Sequence, residues 1–273
     1  MFAFVVPLLD QREDAPICIV HFAFSHLEFS MSVATEICTG VVGTIVLWVM
    51  SGAMAMALGL LMCVGSLSPY AGVRLAFRAG VNITRGVPTS LLVIAAGMGM
   101  LRLPYIPTLP TLFPGTPSAF QHVAWGVMLA LALGSAGHLA EIFCAAYAAL
   151  GRARLEQATA LGLSRFGQLL VLAHEAAAIA IPPTGARLVH HLHNTAFAAL
   201  FPITELFGTV QGLANATFRV FQLTAIGSLI YIALSSCLWL LARLIEAAPG
   251  LSVTTIAEGV PTNDGESAIR SAG

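Results

Sequence analysis

The 273-residue chain is 58% hydrophobic and only 9% charged, with a net charge of −1 and a mean hydropathy of +0.87. A soluble fold of this length cannot bury so much apolar surface, so the composition excludes a soluble globular protein. It predicts an all-α, polytopic membrane protein, and no nucleic-acid partner is expected.

The apolar stretches predict five membrane spans, because about 20 apolar residues cross a bilayer as a helix. The opening apolar segment is too short to cross and runs straight into Asp10. Residues 1–36 are therefore predicted to form an N-terminal extracytoplasmic segment, 37–246 the membrane domain, and 247–273 a polar cytoplasmic tail that is disordered. The predicted spans are 41–65, 86–101, and stretches within 122–150, 175–200 and 220–241. We expect the second span to start before residue 86 and to be broken near Pro88.

The arginines predict the orientation, because basic residues that flank spans are retained in the cytoplasm. They concentrate after the first, third and fifth predicted spans: Arg74, Arg78, Arg85, Arg152, Arg154, Arg165, Arg243 and Arg270. This bias places the N-terminus outside, and it places the C-terminus and the loop that contains Glu156 inside.

The chain contains no lysine. A P-loop needs a lysine on its phosphates, and Schiff-base chemistry needs a lysine amine. The chain therefore cannot carry a P-loop ATP site of its own, and any ATP must be used by another subunit.

The five cysteines show no CxxC spacing and mostly fall in or beside apolar spans. We interpret them as small buried side chains, with a redox or metal role as the alternative. Cys18 and Cys38 are predicted to lie on the outer side, where they could pair.

Between the third and fourth predicted spans lies a charged segment, EQATALGLSRFGQLLVLAHEAAAIAIPP. Glu156, Ala158, Ala160 and Gly162 give a short helix with a face of small residues, and Ser164 can cap a second helix that begins at Arg165. Such a helix at the membrane surface can press into a groove on a partner protein. The alternative is an ordinary interfacial amphipathic helix.

This segment resembles the EAA loop of ABC importer permeases. The matching residues are Glu156, Gln157, Ala158, Gly162, Pro182 and Pro183. Three further segments resemble the polar amino acid permeases: NITRGVPTSLLV at 82–93, HLAEIF at 138–143 and HNTAFAALFPITEL at 193–206. The resemblance covers about 40–246. The chain departs from the family at Gln157 in place of alanine, at Thr159 and Cys144 in place of arginine, and at His193-Asn194 in place of Lys-Asp.

The resemblance implies the type I permease fold, with a coupling loop at about 151–173. It implies a subunit of an ATP-driven importer in a bacterial inner membrane, surrounded by lipid, that is not itself an enzyme and binds no cofactor. ATP and Mg²⁺ would be used by partner ABC ATPases. A second permease subunit, identical or homologous, would complete the pathway, and an extracytoplasmic solute-binding protein would deliver the ligand.

The resemblance also implies roles for single residues. Glu156, Ala158 and Arg165 would shape the coupling loop and contact the ATPase, and Gly162 would allow the turn between two helices. Pro182 and Pro183 would act as a hinge that shapes the beginning of the fourth span.

Polar residues within spans are candidates for the pathway, because burying them in hydrocarbon is costly. The candidates are Arg85, Gly86, Pro88, Glu141, Arg187, His190, His193, Asn194 and Thr195. Arg187, His190, His191 and Asn194 fall largely on one helical stripe, which suits an amino acid carboxylate. The alternative is that they make subunit contacts and helix-end hydrogen bonds, and for Arg85 that it snorkels to the cytoplasmic surface. Glu141 could pair with Arg187 across helices or orient the substrate amine, and the structural pair is the favoured interpretation.

The histidines of the HHLH run (His190, His191 and His193) do not predict a metal site, because neighbouring helical side chains diverge by about 100°. Two other classes remain open. One is a stand-alone secondary transporter, which would usually show an internal repeat, and the other is an integral membrane enzyme with a histidine-rich site.

Overall fold

The computed structural model describes residues 31–103 and 110–247. Side chains at 31, 152, 153, 155, 169–171 and 174 are outside this description. The α-helices of the described part are α1 Met31–Ser66, α2 Ala71–Gly86, α3 Thr89–Leu101, α4 Gln121–Ala149, α5 Gly151–Ala160, α6 Arg165–Asn194, α7 Leu206–Thr217 and α8 Val220–Glu246. Short 3₁₀ helices precede α4 at Ser118–Phe120 and follow α6 at Thr195–Leu200. The predicted all-α fold is confirmed.

Three of the described helices, α1, α4 and α8, are long and apolar enough to cross a membrane. The α2–α3 pair also qualifies if it is counted as one span bent by 96°. The bend lies at Val87 and Pro88, which confirms the expected break. The predicted fourth span lies in α6, a 30-residue helix whose arginine and histidines lower its hydropathy, and it does not pass the same test.

By their contacts the residues fall into two compact units. The first contains the chain up to Ser51, Thr89–Leu131 and Leu192–Ser235. Its core is a cluster of buried side chains in which α1, α7 and α8 meet: Ile37, Leu206, Val210, Leu213, Ala214, Leu223 and Ile226. Gly43 allows α1 to approach the chain just before α7, because a Cβ at Gly43 would fall on the Thr204 carbonyl.

The second unit contains Gly52–Pro88, Ala132–His191 and the chain from Ser236. Alanine-rich clusters pack α1 against α4 through Ala55, Ala132 and Leu139, and α4 against α6 through Ala146, Ala176 and Ala180. Small residues of this kind let helix backbones approach closely, which is how helices associate within a bilayer.

Two cysteines in the second unit form a disulfide that the sequence did not predict. Cys63 of α1 is bonded to Cys144 of α4, although 81 residues separate them. Cys38 is exposed and free, and its proposed partner Cys18 lies outside the described residues. The interpretation of the cysteines as small buried side chains did not include this bond.

Two sequence predictions concern residues outside the described part, and a third differs from the structure in the position of a helix end. The tail from residue 248 and the first 30 residues lie outside the described part. Helix α1 begins at Met31, within the segment predicted to precede the membrane domain.

Candidate functional site

The charged segment folds as a helix, a tight turn and a second helix, as the sequence predicts. Helix α5 ends at Ala160, and Gly162 then adopts a left-handed conformation with φ of 76°. The Gly162 N–H donates to the Thr159 carbonyl at 2.9 Å, and the Leu163 N–H donates to the Ala158 carbonyl at 3.3 Å. This pair of bonds is a Schellman motif, in which a glycine takes the left-handed position at lowest cost.

The second helix begins as predicted, with Ser164 as its cap. The Ser164 hydroxyl accepts a hydrogen bond from the Gly167 N–H at 3.2 Å. The Gln168 side-chain amide then donates to the Thr159 hydroxyl at 3.1 Å and to the Leu163 carbonyl at 3.0 Å. These bonds tie α6 to the end of α5, so the turn is held by side chains from both helices.

The outer face of this turn differs from the predicted set of residues. Glu156 and Arg165 are exposed, but Ala158 is buried and packs inward. Two large apolar side chains, Leu161 and Phe166, are 78% and 71% exposed. Sequence reasoning did not assign Phe166, although an aromatic residue in the first turn after the Ser164 cap was a usable signal. We call Glu156, Leu161, Gly162, Arg165 and Phe166 the coupling surface.

Pro182 and Pro183 lie inside α6, between its first residue, Arg165, and its last, Asn194. The helix continues on both sides of the pair, so the prolines stand within it and not at its beginning. A proline in a helix interior removes a backbone hydrogen bond and commonly kinks the helix, so a hinge at this pair stays a prediction.

Glu141 forms an ion pair, but its partner is not the one expected. The Arg85 guanidinium lies 2.7 Å from the Glu141 carboxylate, with side chains 36% and 53% exposed. This pair joins the end of α2 to α4, next to Gly86 and Pro88, which are both exposed. The expected Glu141–Arg187 pair is therefore wrong, because the Glu141 carboxylate pairs with Arg85 and the Arg187 guanidinium is bonded elsewhere.

Arg187 instead belongs to a polar cluster between α4 and α6. Its Nη2 donates to the Gly134 carbonyl at 3.0 Å and to the Ser135 hydroxyl at 3.3 Å. Ser135 Oγ also lies 2.8 Å from Nδ1 of His191, whose side chain is fully buried. The buried Nε of Arg187 has no hydrogen-bond partner in the described structure. The cluster thus holds the guanidinium in place and leaves one of its N–H donors unused.

The other pathway candidates are divided between the two units. His190 and Arg187 belong to the second unit, and His190 is exposed. His193, Asn194 and Thr195 belong to the first unit. The His193 Nε2 lies 2.9 Å from the Ser235 hydroxyl of α8, and the Thr195 hydroxyl donates to the Leu192 carbonyl at 2.6 Å. Asn194 is buried with its Nδ2 unpaired within the described structure. Among the described residues, no three His, Cys, Asp or Glu side chains converge as metal ligands.

Sequence reasoning missed the polar junction that Glu205 makes. This carboxylate is fully buried and accepts hydrogen bonds from the Gly208 N–H, from the Phe207 N–H at 2.8 Å and from the Tyr231 hydroxyl at 3.2 Å. It thereby caps α7 and joins it to α8, because helix N-termini leave N–H groups that need acceptors. The available signal was that Glu205 is the single acidic residue between Glu175 and Glu246.

The chain was compared with protein-family models, with curated proteins and with solved structures. No family model matches the chain. The histidine/lysine/arginine/ornithine transport system permease protein HisM of Salmonella typhimurium is 28% identical over 211 residues, which cover 76% of this chain and 87% of the relative. The arginine ABC transporter permease protein ArtM of Haemophilus influenzae is 26% identical over 205 residues, which cover 60% of this chain and 90% of the relative.

The chain is a permease subunit of the ABC importer type. The fold agrees, because the crystal structure of an amino acid ABC transporter with histidines matches at a TM-score of 0.65 and 18% identity. That match covers 78% of the permease and 94% of the solved chain. An inward-facing MetNI methionine ABC transporter matches at a TM-score of 0.65 and 16% identity, over 80% and 98% of the two chains. The permease is thus a multi-pass inner-membrane protein, and its relatives are permeases rather than ATPases.

Proposed function

We propose that this permease imports polar amino acids or related compounds such as opines. The observation that carries this proposal is the similarity to HisM, which extends over 211 residues. The names of HisM and ArtM specify histidine, lysine, arginine and ornithine as transported compounds, and all of these carry an α-carboxylate.

Arg187 supplies a group that could recognise such a carboxylate. Its Nη2 is held by Gly134 and Ser135, while its buried Nε lacks a partner. A guanidinium forms strong, directional hydrogen bonds with carboxylates, and a fixed guanidinium loses little entropy on binding. In this proposal Arg187 binds the carboxylate. The Arg85–Glu141 pair, His190, His193, Asn194 and Thr195 would contribute polar groups along the pathway.

The partner ATPase would bind the coupling surface. Leu161 and Phe166 offer exposed apolar area, and Glu156 and Arg165 flank them with opposite charges. An apolar centre with a polar rim is the usual anatomy of a protein interface. The ATPase, which would use ATP and Mg²⁺, would then move α5 and the beginning of α6 as one body.

The proposed cycle is alternating access driven by that movement. Closure of the ATPase pair would shift the coupling surfaces of two permease subunits and switch the pathway between inward- and outward-facing states. An extracytoplasmic binding protein would deliver the ligand. This scheme needs the coupling surface and the C-terminus in the cytoplasm and the N-terminus outside, as the arginine distribution predicts.

Co-purification tests the partnership. We expect a P-loop ATPase to travel with the tagged permease from its native membrane in mild detergent, as identified by mass spectrometry. Phe166→Ser should reduce the recovered ATPase severalfold because it removes the exposed aromatic ring of the coupling surface. Phe218→Ser is the matched control, since Phe218 is 89% exposed but lies in the turn before α8. Equal loss in both variants, or no ATPase in any sample, would count against the proposal.

Uptake kinetics test the substrate assignment. We expect Arg187→Ala to raise the KM for a basic amino acid about tenfold or more, as loss of a charge-assisted hydrogen bond worth roughly 1.5–3 kcal/mol requires. Arg187→Lys should retain part of the affinity because it keeps the charge but not the planar fork. ATPase recovery is the control for folding. An unchanged KM in the alanine variant, with normal ATPase recovery, would remove Arg187 from the binding site without affecting the partnership.

A further inference from the structure

Helix α2, Ala71–Gly86, carries two arginines, Arg74 and Arg78, that the proposed transport cycle does not use. Arg74, Arg78 and Arg85 recur at positions that fall within about 40° of one another on a helix of 3.6 residues per turn. The helix contains no acidic residue. It therefore carries a stripe of positive charge along one face.

A second face of α2 packs against the protein through two glycines. The Phe77 ring lies on Gly65 of α1, where a Cβ would collide with it, and the Thr84 side chain lies on Gly137 of α4 in the same way. Phe77 and Thr84 are seven residues apart, so they share one side of the helix. These contacts fix which side of α2 faces the other helices.

The remaining face of α2 is apolar and uncovered. No residue of α2 is buried, and Leu75 and Ile83 are 70% and 65% exposed. They are eight residues apart, which is about 80° around the helix: Leu75 lies about 60° from Arg78, and Ile83 lies on the side opposite the arginines. A large apolar face that no described residue covers requires another cover.

The charges of the stripe are only partly compensated. Glu141 neutralises Arg85 at 2.7 Å. Arg74 donates to the Ser68 and Pro69 carbonyls at 3.0 and 3.4 Å, which are neutral acceptors. Arg78 is exposed and has no ion-pair partner in the described part of the chain. Arg74 and Arg78 thus present net positive charge at the edge of an apolar face.

We propose that α2 lies in the membrane interface and binds anionic phospholipid. Leu75 and Ile83 would enter the acyl region, and Arg74 and Arg78 would contact the negatively charged headgroups. This combination of an apolar face and flanking arginines is how interfacial helices bind bilayers, and α2 directly follows the membrane-spanning α1. A soluble anion would use the arginines but would leave Leu75 and Ile83 uncovered.

The position of α2 can be measured with a nitroxide at Ile83→Cys, with Cys18, Cys38 and Cys237 changed to serine. The protein is reconstituted in vesicles of equal parts phosphatidylcholine and phosphatidylglycerol. We expect oxygen, which partitions into lipid, to relax the nitroxide and an aqueous nickel chelate not to reach it. A nitroxide at Leu161→Cys, on the coupling surface, should show the reverse. A label at 83 that the chelate reaches freely, or that both agents fail to reach because protein covers it, would overturn the proposal.

The headgroup preference is tested by thermal unfolding in detergent with short-chain phospholipids. We expect short-chain phosphatidylglycerol, but not phosphatidylcholine, to raise the melting temperature. Arg78→Gln should raise the half-maximal concentration about fivefold, since one arginine near an anionic surface contributes about 1 kcal/mol. Arg102→Gln, at an exposed position after α3, is the control and should behave as the wild type. Equal stabilisation by inorganic phosphate, or an unchanged Arg78→Gln titration, would contradict a lipid site.

Discussion

Gly162→Val is expected to lower ATP-driven uptake by about tenfold or more while the protein remains in the membrane. Gly162 has a φ of 76°, and nothing lies within 4 Å of the position where its Cβ would be. The cost is therefore backbone strain alone, roughly 1–2 kcal/mol for an ordinary L-residue and more for a β-branched one. That strain would break the Schellman turn that positions Leu161 and Phe166. Uptake into vesicles energised with ATP measures the effect.

Gly162→Asn is the matched control, because asparagine tolerates the left-handed conformation. It should retain most of the uptake. Gly162→Asp has nearly the same shape as the asparagine variant but adds a negative charge to the coupling surface, and we expect it to abolish uptake. Equal uptake in the valine and asparagine variants would show that the turn geometry is not required for coupling.

Gly43→Ala is expected to cause the largest loss of stability, a fall in melting temperature of about 5–10 °C in detergent. The added Cβ would fall on the Thr204 carbonyl, which is backbone and cannot rotate away as a side chain can. Helix α1 would have to move from the segment that leads into α7. This movement would also disturb the bond at 2.9 Å in which the Leu206 N–H donates to the Thr44 hydroxyl.

Gly99→Ala controls for the general effect of adding a methyl group to a helical glycine. Gly99 lies in α3, and a Cβ added there would meet no atom within 4 Å. Alanine is favoured over glycine in a helix by about 1 kcal/mol, so this variant should melt at or slightly above the wild-type temperature. A melting temperature of Gly43→Ala equal to that of Gly99→Ala would disprove the close approach of α1 to Thr204.

The local features were predictable because neighbouring residues decide them. Pro88 disfavours a helical conformation at the preceding residue, so the sequence favours a break between α2 and α3, although α6 continues through Pro182 and Pro183. Gly162 and Ser164 likewise predicted the turn and the beginning of α6, because each acts within a few residues of itself. The ordered motifs that resemble the polar amino acid permeases led to the class that the relatives then confirmed.

The pairs that depend on distant residues were not predictable in the same way. Glu141 has cations available at both Arg85 and Arg187, and the sequence does not state which one packs beside it. The inward packing of Ala158, the exposure of Phe166 and the polar junction at Glu205 also depend on how helices meet. Each is decided by contacts between residues that are far apart in sequence.

The sequence by itself determined three properties of this protein: that it is a membrane protein, where its helices break, and to which class of transporter it belongs. The composition decides whether a chain folds in water or in a lipid bilayer. Glycine, proline and helix-capping residues determine the backbone conformation within a few residues of themselves. Only the tertiary structure decided that Arg187 is held by Gly134 and Ser135, that Cys63 is bonded to Cys144, and that α2 leaves Leu75 and Ile83 uncovered. The physical reason is that ion pairs, disulfides and exposed faces arise from helix packing, which joins residues that no local pattern connects.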